Sequence, residues 1–429
     1  MQSIRVGSAN ERSNGVASRW KPRRAGRRPL AALALGGALL LATACGSAGV
    51  HPGGAAVSAG AGGNAGAGGA GATSVTAKPS AAVLDVEPKN GAQDVPPSGA
   101  LKVSVTSGKL TQVAVTGPDG QAVAGAVAAD GLSWVPTAGL AVGTAYKVSA
   151  QAVDAAGVRT TATNTFSTLT PSKTTRTDDN VTTNETYGVG MIIRVDFQKA
   201  VKNKAAVEKA ITVQASDNTV VKGHWFDGDT RLDLRPESYW KPGTKVAVHF
   251  RTKSVEFAPG VYGNSDRDES FTIGRSKITT VDAQAHRMTV AKDGAAPQTI
   301  AITAGSDDNP SYNGTMVVFQ KTRMEHMDSA TTTIKGAAYS VDEPHAMKIT
   351  DSGTYVHGNP KAGAVAGRQN ISHGCVGLPD TEDGDDNSVA GRFYADSILG
   401  DVVIVKNSIG KDVQPDNGLG GWNMPWSAW

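Results

Sequence analysis

The chain has 429 residues and a net charge of +3, from 42 lysines and arginines against 39 aspartates and glutamates. Its length allows several domains of ordinary size, each with its own core. The nearly balanced charge, without a basic patch carrying interleaved aromatic residues outside the first 45 positions, argues against nucleic-acid binding.

The first 44 residues have the pattern of a bacterial signal peptide. Basic residues between Lys21 and Arg28 precede an apolar run, Leu30–Ala44, which is too short for a comfortable membrane span. The sequence around Cys45 resembles a lipoprotein box, which predicts cleavage before Cys45 and lipidation of this residue. A plain secretory signal cleaved near Ala44 is the alternative.

Residues 45–80 form a Gly/Ala-rich segment with almost no charge. Such a segment buries too little apolar surface to offset the entropy lost by an ordered chain. We therefore expect a flexible tether with a root-mean-square span of about 30 Å.

Short alternating apolar runs begin near residue 81 and predict strands. Leu101–Val105 alternates with a period of two, and Gly117–Gly120 has the composition of a turn. The layout recurs about 100 residues later, since Gly143–Val148 is echoed by Gly243–Val248. We predict two immunoglobulin-like β-sandwich modules, at residues 81–170 and 171–275, without the inter-sheet disulfide of antibody domains.

Residues 276–406 predict a third, β-rich domain with short helices, so that the fold class is mostly β. A hairpin is expected between Lys277 and Val290, a helix around Ser388–Leu399, and a strand at 401–405. Acidic residues cluster in the loop at 380–386, which is either solvated surface or a calcium site.

The last segment, residues 407–429, holds Trp422, Trp426 and Trp429, three of the seven tryptophans. Leaving so much aromatic surface in water is unfavourable, so we predict that this segment docks. It would pack against the second sandwich or the third domain, or form a surface on which sugars stack.

The second of the two cysteines lies in a short string of reactive residues. Ser372-His373-Gly374-Cys375 follows His357-Gly358-Asn359, and His357 precedes Cys375 by 18 positions. A thiol becomes a nucleophile at neutral pH when an imidazole takes its proton. Gly374 suits a sharp turn that directs backbone amides at a developing oxyanion. The string therefore predicts a cysteine acyl-transfer site.

Two other interpretations stay open at this point. Cys375 could be a small buried apolar side chain next to an unrelated imidazole, or His357, His373 and Cys375 could bind zinc. Structural zinc sites, however, have four ligands and more thiolates, and the sequence has no Cys-x-x-Cys.

Tyr355–Asn359 and Ile371–Val376 resemble the catalytic signature of the L,D-transpeptidase (YkuD-type) family. Met327 and Tyr339 fall where mycobacterial-type members carry substrate-pocket residues, and the tail Gly418–Trp426 is similar to the tail of that subgroup. The resemblance covers roughly residues 278–429. The subgroup also has paired immunoglobulin-like modules ahead of its catalytic domain.

The resemblance implies that Cys375 attacks the carbonyl of the third residue of a peptidoglycan tetrapeptide stem and expels the terminal D-Ala. His357 would take the thiol proton and later return a proton to the departing amine. The Gly358 carbonyl would hold the imidazole in its working tautomer. Amides near Gly374 and Cys375 would stabilise the oxyanion.

Other residues have supporting roles under the same resemblance. Ser372 would brace the cysteine loop, and His373 would either shape that loop or carry protons directly. Tyr339 would form a wall or lid of the substrate pocket unless it is a core residue. Met327 and Asn359 would also line the pocket.

The implied function is that of a peptidoglycan L,D-transpeptidase, which forms 3→3 crosslinks between donor and acceptor stem peptides through a thioester. It requires no cofactor and no metal, and it implies acylation by carbapenem β-lactams. A lipidated Cys45 would anchor the protein to the outer face of the cell membrane, facing the wall, and would leave Cys375 free rather than paired with Cys45 in a disulfide.

Two alternative functions are an L,D-carboxypeptidase on the same scaffold, which would pass the acyl group to water, and a non-catalytic wall-binding lipoprotein. Gly377 favours the second of these, because the family usually has Asn or Arg two residues after the cysteine.

Overall fold

The computed structural model describes residues 78–331 and 339–429. The expected signal peptide (1–44), Cys45 and most of the Gly/Ala-rich segment lie outside the described residues. Strands dominate, and immunoglobulin-like sandwich structure precedes a β-rich domain, which confirms the predicted fold class. Within the described ranges, no helix is both long and apolar enough to cross a membrane.

The first sandwich consists of eight strands. They are β1 (Val83–Glu87), β2 (Ala92–Val95), β3 (Lys102–Thr106), β4 (Lys109–Thr116), β5 (Gly125–Val127), β6 (Ser133–Pro136), β7 (Ala145–Val153) and β8 (Arg159–Thr168). Two four-stranded sheets have the orders β1-β3-β6-β5 and β2-β8-β7-β4. Alternate residues of β7 are buried, as expected for a strand with one face in the core, and Trp134, Tyr146 and Phe166 are the aromatic side chains there.

The second sandwich follows the same plan with additions. Its elements are β9 (Lys173–Thr175), β10 (Thr177–Asp179), β11 (Thr186–Tyr187), β12 (Ile193–Phe197), α1 (Lys204–Ala210), β13 (Ile211–Ala215), β14 (Val221–Phe226), β15 (Arg231–Pro236), β16 (Lys245–Arg251), β17 (Glu256–Ala258), β18 (Val261–Gly263) and β19 (Asp266–Ile273). The sheets have the orders β10-β12-β15-β14, β11-β19-β16-β13 and β17-β18-β9. The two copies of the sequence repeat, at 143–148 and 243–248, overlap the starts of β7 and β16. The alternating apolar pattern of the sequence did not predict α1.

The third domain carries the remaining regular elements. They are β20 (Lys277–Asp282), β21 (Arg287–Lys292), β22 (Gln298–Ala301), β23 (Gly314–Val317), β24 (Gln320–Asp328), β25 (Ser340–Lys348), β26 (Tyr355–Asn359), α2 (Ala362–Val365), β27 (Val376–Pro379), α3 (Val389–Ala395) and β28 (Val402–Lys406), with 3₁₀ turns at Ser329–Thr331 and Gly420–Asn423. The sheets have the orders β22-β21-β20-β28-β23 and β24-β25-β26-β27.

The local signals in this domain correspond to observed elements. β20 and β21 form the expected antiparallel hairpin. The helix expected around Ser388–Leu399 is observed as the shorter α3. It begins after Ser388, whose side-chain oxygen accepts a hydrogen bond from the Gly391 N–H at 2.8 Å. This cap satisfies one of the free amides of the first turn.

Close backbone contact joins the second sandwich to the third domain. The Gly188 N–H donates to the Leu399 carbonyl at 2.7 Å, and the Gly190 N–H donates to the Gly400 carbonyl at 2.9 Å. A Cβ atom at position 188 would lie only 2.5 Å from backbone atoms of Gly400, so glycine is required there. Val317 and Val402 of the third domain belong to the apolar core of the sandwich, which ties the five-stranded sheet of that domain to this module.

The tryptophan-rich tail lies against the second sandwich. The indole N–H of Trp422 donates to the Gly190 carbonyl at 2.8 Å, and that of Trp429 donates to the Lys222 carbonyl at 2.9 Å. The Arg235 guanidinium lies 4.9, 5.4 and 4.2 Å from the ring centroids of Trp422, Trp426 and Trp429. Cation–π contacts of this kind help to hold the tail on the sandwich, where the three tryptophans are partly buried.

Candidate active site

Two adjacent parallel strands bring the cysteine and the first histidine together. β26 carries His357, Cys375 immediately precedes β27, and the register pairs His357 with Gly377. Cys375 is a free thiol that is 9% exposed, and His357 is 3% exposed. The Tyr355 N–H donates to Cys375 Sγ at 3.4 Å. The thiol is therefore held by the strand that carries the imidazole.

His357 is arranged to accept the proton of that thiol. Its Nδ1 lies 2.8 Å from the Gly358 carbonyl oxygen, which can only accept, so Nδ1 carries a proton and Nε2 is left for Cys375. Burial lowers the pKa of His357, but the neighbouring polar groups and charges of Cys375 and Glu343 raise it to about 10. The raised pKa makes this imidazole a stronger base than an isolated histidine, which suits it to hold the thiol proton.

The loop before Cys375 is braced by hydroxyl groups. Gly374 has a φ of +119°, a conformation that other residues rarely adopt. The Ser372 hydroxyl donates to the Cys375 carbonyl at 2.6 Å and accepts from the Gly374 N–H at 3.2 Å. The Ser311 hydroxyl donates to the Gly374 carbonyl at 2.8 Å. The Gly374 amide is thus already engaged within the turn, and the Ser372 hydroxyl is occupied by the backbone.

Three other expected site residues lie around the thiol. The rings of Tyr339 and His373 pack with their centroids 4.7 Å apart, and His373 is exposed. Met327 packs against the small buried cluster of Ala346, Tyr355 and Cys375. An aromatic pair and a flexible thioether therefore lie near the sulfur atom, which suits a peptide-binding pocket.

Asn359 occupies the space left by the glycine at position 377. A Cβ atom on Gly377 would lie 3.0 Å from Asn359 Cβ and 2.9 Å from Thr303 Cγ2. Asn359 is 8% exposed, and its Oδ1 accepts from the Lys361 N–H at 2.9 Å. The neighbouring strand thus supplies an amide beside position 377, where the resemblance predicts Asn or Arg.

A second histidine–carboxylate pair, His345 and Asp380, packs against Gly358 of β26. His345 Nδ1 lies 2.6 Å from Asp380 Oδ2, and both side chains are essentially inaccessible. Asp380 Oδ1 accepts from the Thr381 and Asp385 N–H groups, each at 2.9 Å. A Cβ atom on Gly358 would lie 2.8 Å from Asp380 Cβ and would overlap its Oδ2. Asp380 therefore fixes the peptide whose carbonyl orients His357.

The acidic loop does not converge on a cation. Asp380 is committed to His345, and Asp386 pairs with Arg323 at 3.2 Å. Among residues 78–331 and 339–429, no three His, Cys, Asp or Glu side chains are placed to hold a metal ion. The geometry thus gives no support to the calcium and zinc alternatives.

Comparison with known proteins decides the family. The profile of a bacterial Ig domain matches residues 92–256, and that of an L,D-transpeptidase (YkuD) catalytic domain matches residues 276–405. L,D-transpeptidase 2 of Mycobacterium tuberculosis is 31% identical over 334 residues, which cover 77% of this chain and 79% of that protein. The chain belongs to the L,D-transpeptidase family. L,D-transpeptidase 5 of the same organism is 28% identical over 77% of this chain and 72% of its own.

Solved structures of other L,D-transpeptidases are also similar. An LD transpeptidase in complex with imipenem is 26% identical, with a TM-score of 0.46 over 55% of this chain and 100% of the other. An L,D-transpeptidase from Mycobacterium smegmatis is 24% identical, with a TM-score of 0.43 over 54% and 99% of the two chains.

Sequence reasoning missed Glu343 in this L,D-transpeptidase. Its Oε2 lies 3.4 Å from His357 Nδ1. Glu343 is 14 positions before His357 and lies on β25, a strand whose side chains follow no recognised catalytic spacing. The pair Asp342-Glu343, on the strand that precedes the strand of His357, was the available signal, but acidic pairs on strands are common on solvated faces.

Gly358→Ala should lower the rate of acyl transfer by about 10²-fold, because the added methyl group would push the peptide away from Asp380 and move the carbonyl that orients His357. Gly363→Ala is the matched control, since a Cβ atom there meets nothing within 4 Å. The rate of Cys375 acylation, followed by intact mass, measures the effect. A wild-type rate in Gly358→Ala would show that the carbonyl does not need this constraint.

Proposed function

We propose that this L,D-transpeptidase forms 3→3 crosslinks in peptidoglycan through a thioester on Cys375. The observation that carries the proposal is a free, slightly exposed thiol next to a buried imidazole whose pKa is raised to about 10. The packing of Tyr339 on His373, and of Met327 against the cluster that contains Cys375, supports the proposal that these side chains line a donor-peptide pocket.

The first half-reaction forms the acyl-enzyme. Cys375 Sγ gives its proton to His357 Nε2 and attacks the carbonyl carbon of the third residue of a tetrapeptide stem. The tetrahedral intermediate then breaks its C–N bond to D-Ala, and the imidazolium returns the proton to the departing amine. A thioester remains, and His357 is neutral again.

The second half-reaction transfers the acyl group to a neighbouring stem. The side-chain amine on the acceptor's third residue attacks the thioester, its proton passes to His357, and the C–S bond breaks. The thiolate then recovers the proton from the imidazolium. One amide is exchanged for another, so the reaction needs no external oxidant, reductant or cofactor.

The surrounding residues take supporting roles in this proposal. The Gly358 carbonyl holds the Nδ1–H tautomer. Ser372 braces the loop rather than acting as a nucleophile, since its hydroxyl is bonded to the backbone of residues 374 and 375. His373 shapes the pocket through Tyr339. The Cys375 N–H is the amide assigned to the oxyanion, because the Gly374 N–H is taken by Ser372.

The proposed setting is the outer face of the cell membrane. Cleavage before Cys45 and its lipidation would anchor the chain, residues 45–80 would span the gap, and modules at 81–170 and 171–275 would carry the catalytic domain (276–406) towards the wall. The tail, residues 407–429, would fix the catalytic domain on the second module.

Carbapenems are proposed as inhibitors because a strained β-lactam carbonyl offers the same thiol an acyl group.

Mass spectrometry of muropeptides tests the proposed reaction. The full chain, incubated with disaccharide-tetrapeptides, should release D-Ala and form a dimer linked between the third residues of two stems. Protein whose thiol has first been alkylated with iodoacetamide is the control and should form none. Tripeptide without dimer would mean that water outcompetes the acceptor and that the chain is a carboxypeptidase. An unchanged substrate would favour a wall-binding protein without activity.

A further inference from the structure

A carboxylate reaches His357 Nδ1 in addition to the Gly358 carbonyl. Glu343 on β25 places Oε2 3.4 Å from Nδ1, and its side chain is 17% exposed. Among the described residues, this oxygen is buried and has no hydrogen-bond partner. The Nδ1 proton is directed to the nearer Gly358 oxygen, at 2.8 Å. A buried carboxylate oxygen without a donor is unfavourable, so its persistence beside a reactive group points to a functional role.

The strand pairing of Glu343 is also unfavourable. The register of β24 and β25 places Glu343 directly opposite Glu325, and like charges at opposed positions destabilise a strand pair. Glu325 Oε1 accepts a hydrogen bond from the Tyr355 hydroxyl at 3.1 Å, which satisfies this oxygen. Oε2 of Glu343 has no corresponding donor in the described chain. The positive charge that would compensate it is the imidazolium of His357.

Five other titratable groups surround the imidazole. Tyr339 precedes β25, Glu325 lies on β24, His373 and Cys375 precede β27, and Asp380 follows β27. Asp380 is held by His345, and Glu325 by the Tyr355 hydroxyl. His373 is exposed against the Tyr339 ring. Glu343 is thus the carboxylate left to respond to a charge on His357.

We propose that Glu343 stabilises the imidazolium form of His357 during acyl transfer. When Nε2 takes the thiol proton, the ring becomes positive beside Oε2, and the Nδ1–H is then shared between the Gly358 carbonyl and the carboxylate. Hydrogen bonds between charged groups are stronger than neutral ones. Glu343 acts through His357 as a positioning residue and does not touch the substrate. The inference rests on the proposed role of His357 as proton carrier.

Nuclear magnetic resonance of the full chain, labelled with ¹⁵N-histidine, tests the inference without any substrate. The ring nitrogens of His357, assigned by their loss in His357→Gln, are followed as the pH is raised. Glu343→Gln keeps the shape but removes the charge, and it should lower the pKa of His357 by about one unit or more. Asp342→Asn is the matched control: it removes the charge of the adjacent, exposed residue, which pairs with His326, and should change that pKa by less than about 0.3 unit because exposed charges are screened.

Two further variants keep the test decisive. Glu343→Asp retains the charge and should restore part of the lost pKa. Cys375→Ala removes the part of the pKa increase that comes from the thiol. The pKa of His357 should still stay above its ordinary value of about 6.5, because the charge of Glu343 outweighs the effect of burial. The inference is overturned if Glu343→Gln and wild type titrate alike, or if the pKa in Cys375→Ala falls below the ordinary value. These results would not depend on crosslinking, so failure here and failure of the proposed reaction can be told apart.

Discussion

Replacement of Cys375 by serine is expected to lower the rate of acylation by a carbapenem by at least about 10⁴-fold. The serine hydroxyl fits the same space and can still accept the Tyr355 N–H, so the fold should survive. An alcohol, however, ionises far less readily than a thiol. The hydrogen bond and charge of Cys375 that help to raise the pKa of His357 are also lost in this variant, so the imidazole takes the hydroxyl proton poorly. Intact mass spectrometry over time, with wild type alongside, measures the loss.

Ser372→Ala separates the two candidate nucleophiles in this loop. Its hydroxyl is hydrogen-bonded to the Cys375 carbonyl and the Gly374 N–H. Its removal should therefore loosen the turn and slow the formation of the carbapenem adduct without preventing it. If Cys375→Ser formed the adduct at the wild-type rate, the acylated group would be another residue or the introduced hydroxyl, and the thiol mechanism would be abandoned.

The string around Cys375 could be identified from the sequence because its residues lie within one short segment. Ser372–Cys375 forms one turn, and the glycine in it adopts a backbone conformation that suits glycine. The gap of 18 residues between His357 and Cys375 predicted a neighbouring strand or loop. His357 lies on β26, and Cys375 immediately precedes the adjacent strand β27. The family and the fold class that this string and the upstream repeat implied are both confirmed.

The groups that tune this site were not readable, because they come together only across the sheet. Glu343 contacts His357 from β25, and Asp380, which directly follows β27, contacts Gly358. The acidic loop illustrates the difficulty: its composition suggested solvent or calcium, whereas Asp380 is buried against His345. A charge pattern along one segment does not reveal which partner the fold places opposite it.

The same limit applies to the fold outside the site. Alternating apolar residues predicted the strands of the sandwiches, since burial of one sheet face is a local pattern. The stacking of three tryptophans on Arg235 depends on a contact between segments nearly 200 residues apart. Composition indicated that the tail should dock, but Arg235 carries no local mark that distinguishes it from other arginines of the second sandwich.

Replacement of His357 by glutamine should lower the rate of Cys375 acylation by about 10²–10⁴-fold, the usual contribution of a general base and acid. Glutamine can replace the hydrogen bond to the Gly358 carbonyl, but it cannot take the thiol proton or return one to the leaving amine. Because the thiol then ionises without help, the remaining rate should rise with pH as free thiolate accumulates. Stopped-flow or mass-based acylation rates at several pH values measure both effects.

His373→Gln and His326→Gln are the variants that make this result specific. His326 is exposed on β24 and pairs with Asp342, so its replacement should leave the rate unchanged. His373 packs on Tyr339, so its replacement should weaken the pocket wall, with a smaller loss than His357→Gln and an unaltered pH profile. A loss in His373→Gln as large as that in His357→Gln, with the same change in pH profile, would instead make His373 the proton carrier. The raised pKa of the buried His357, with Cys375 and Glu343 on either side of its ring, is the physical reason for expecting the first outcome.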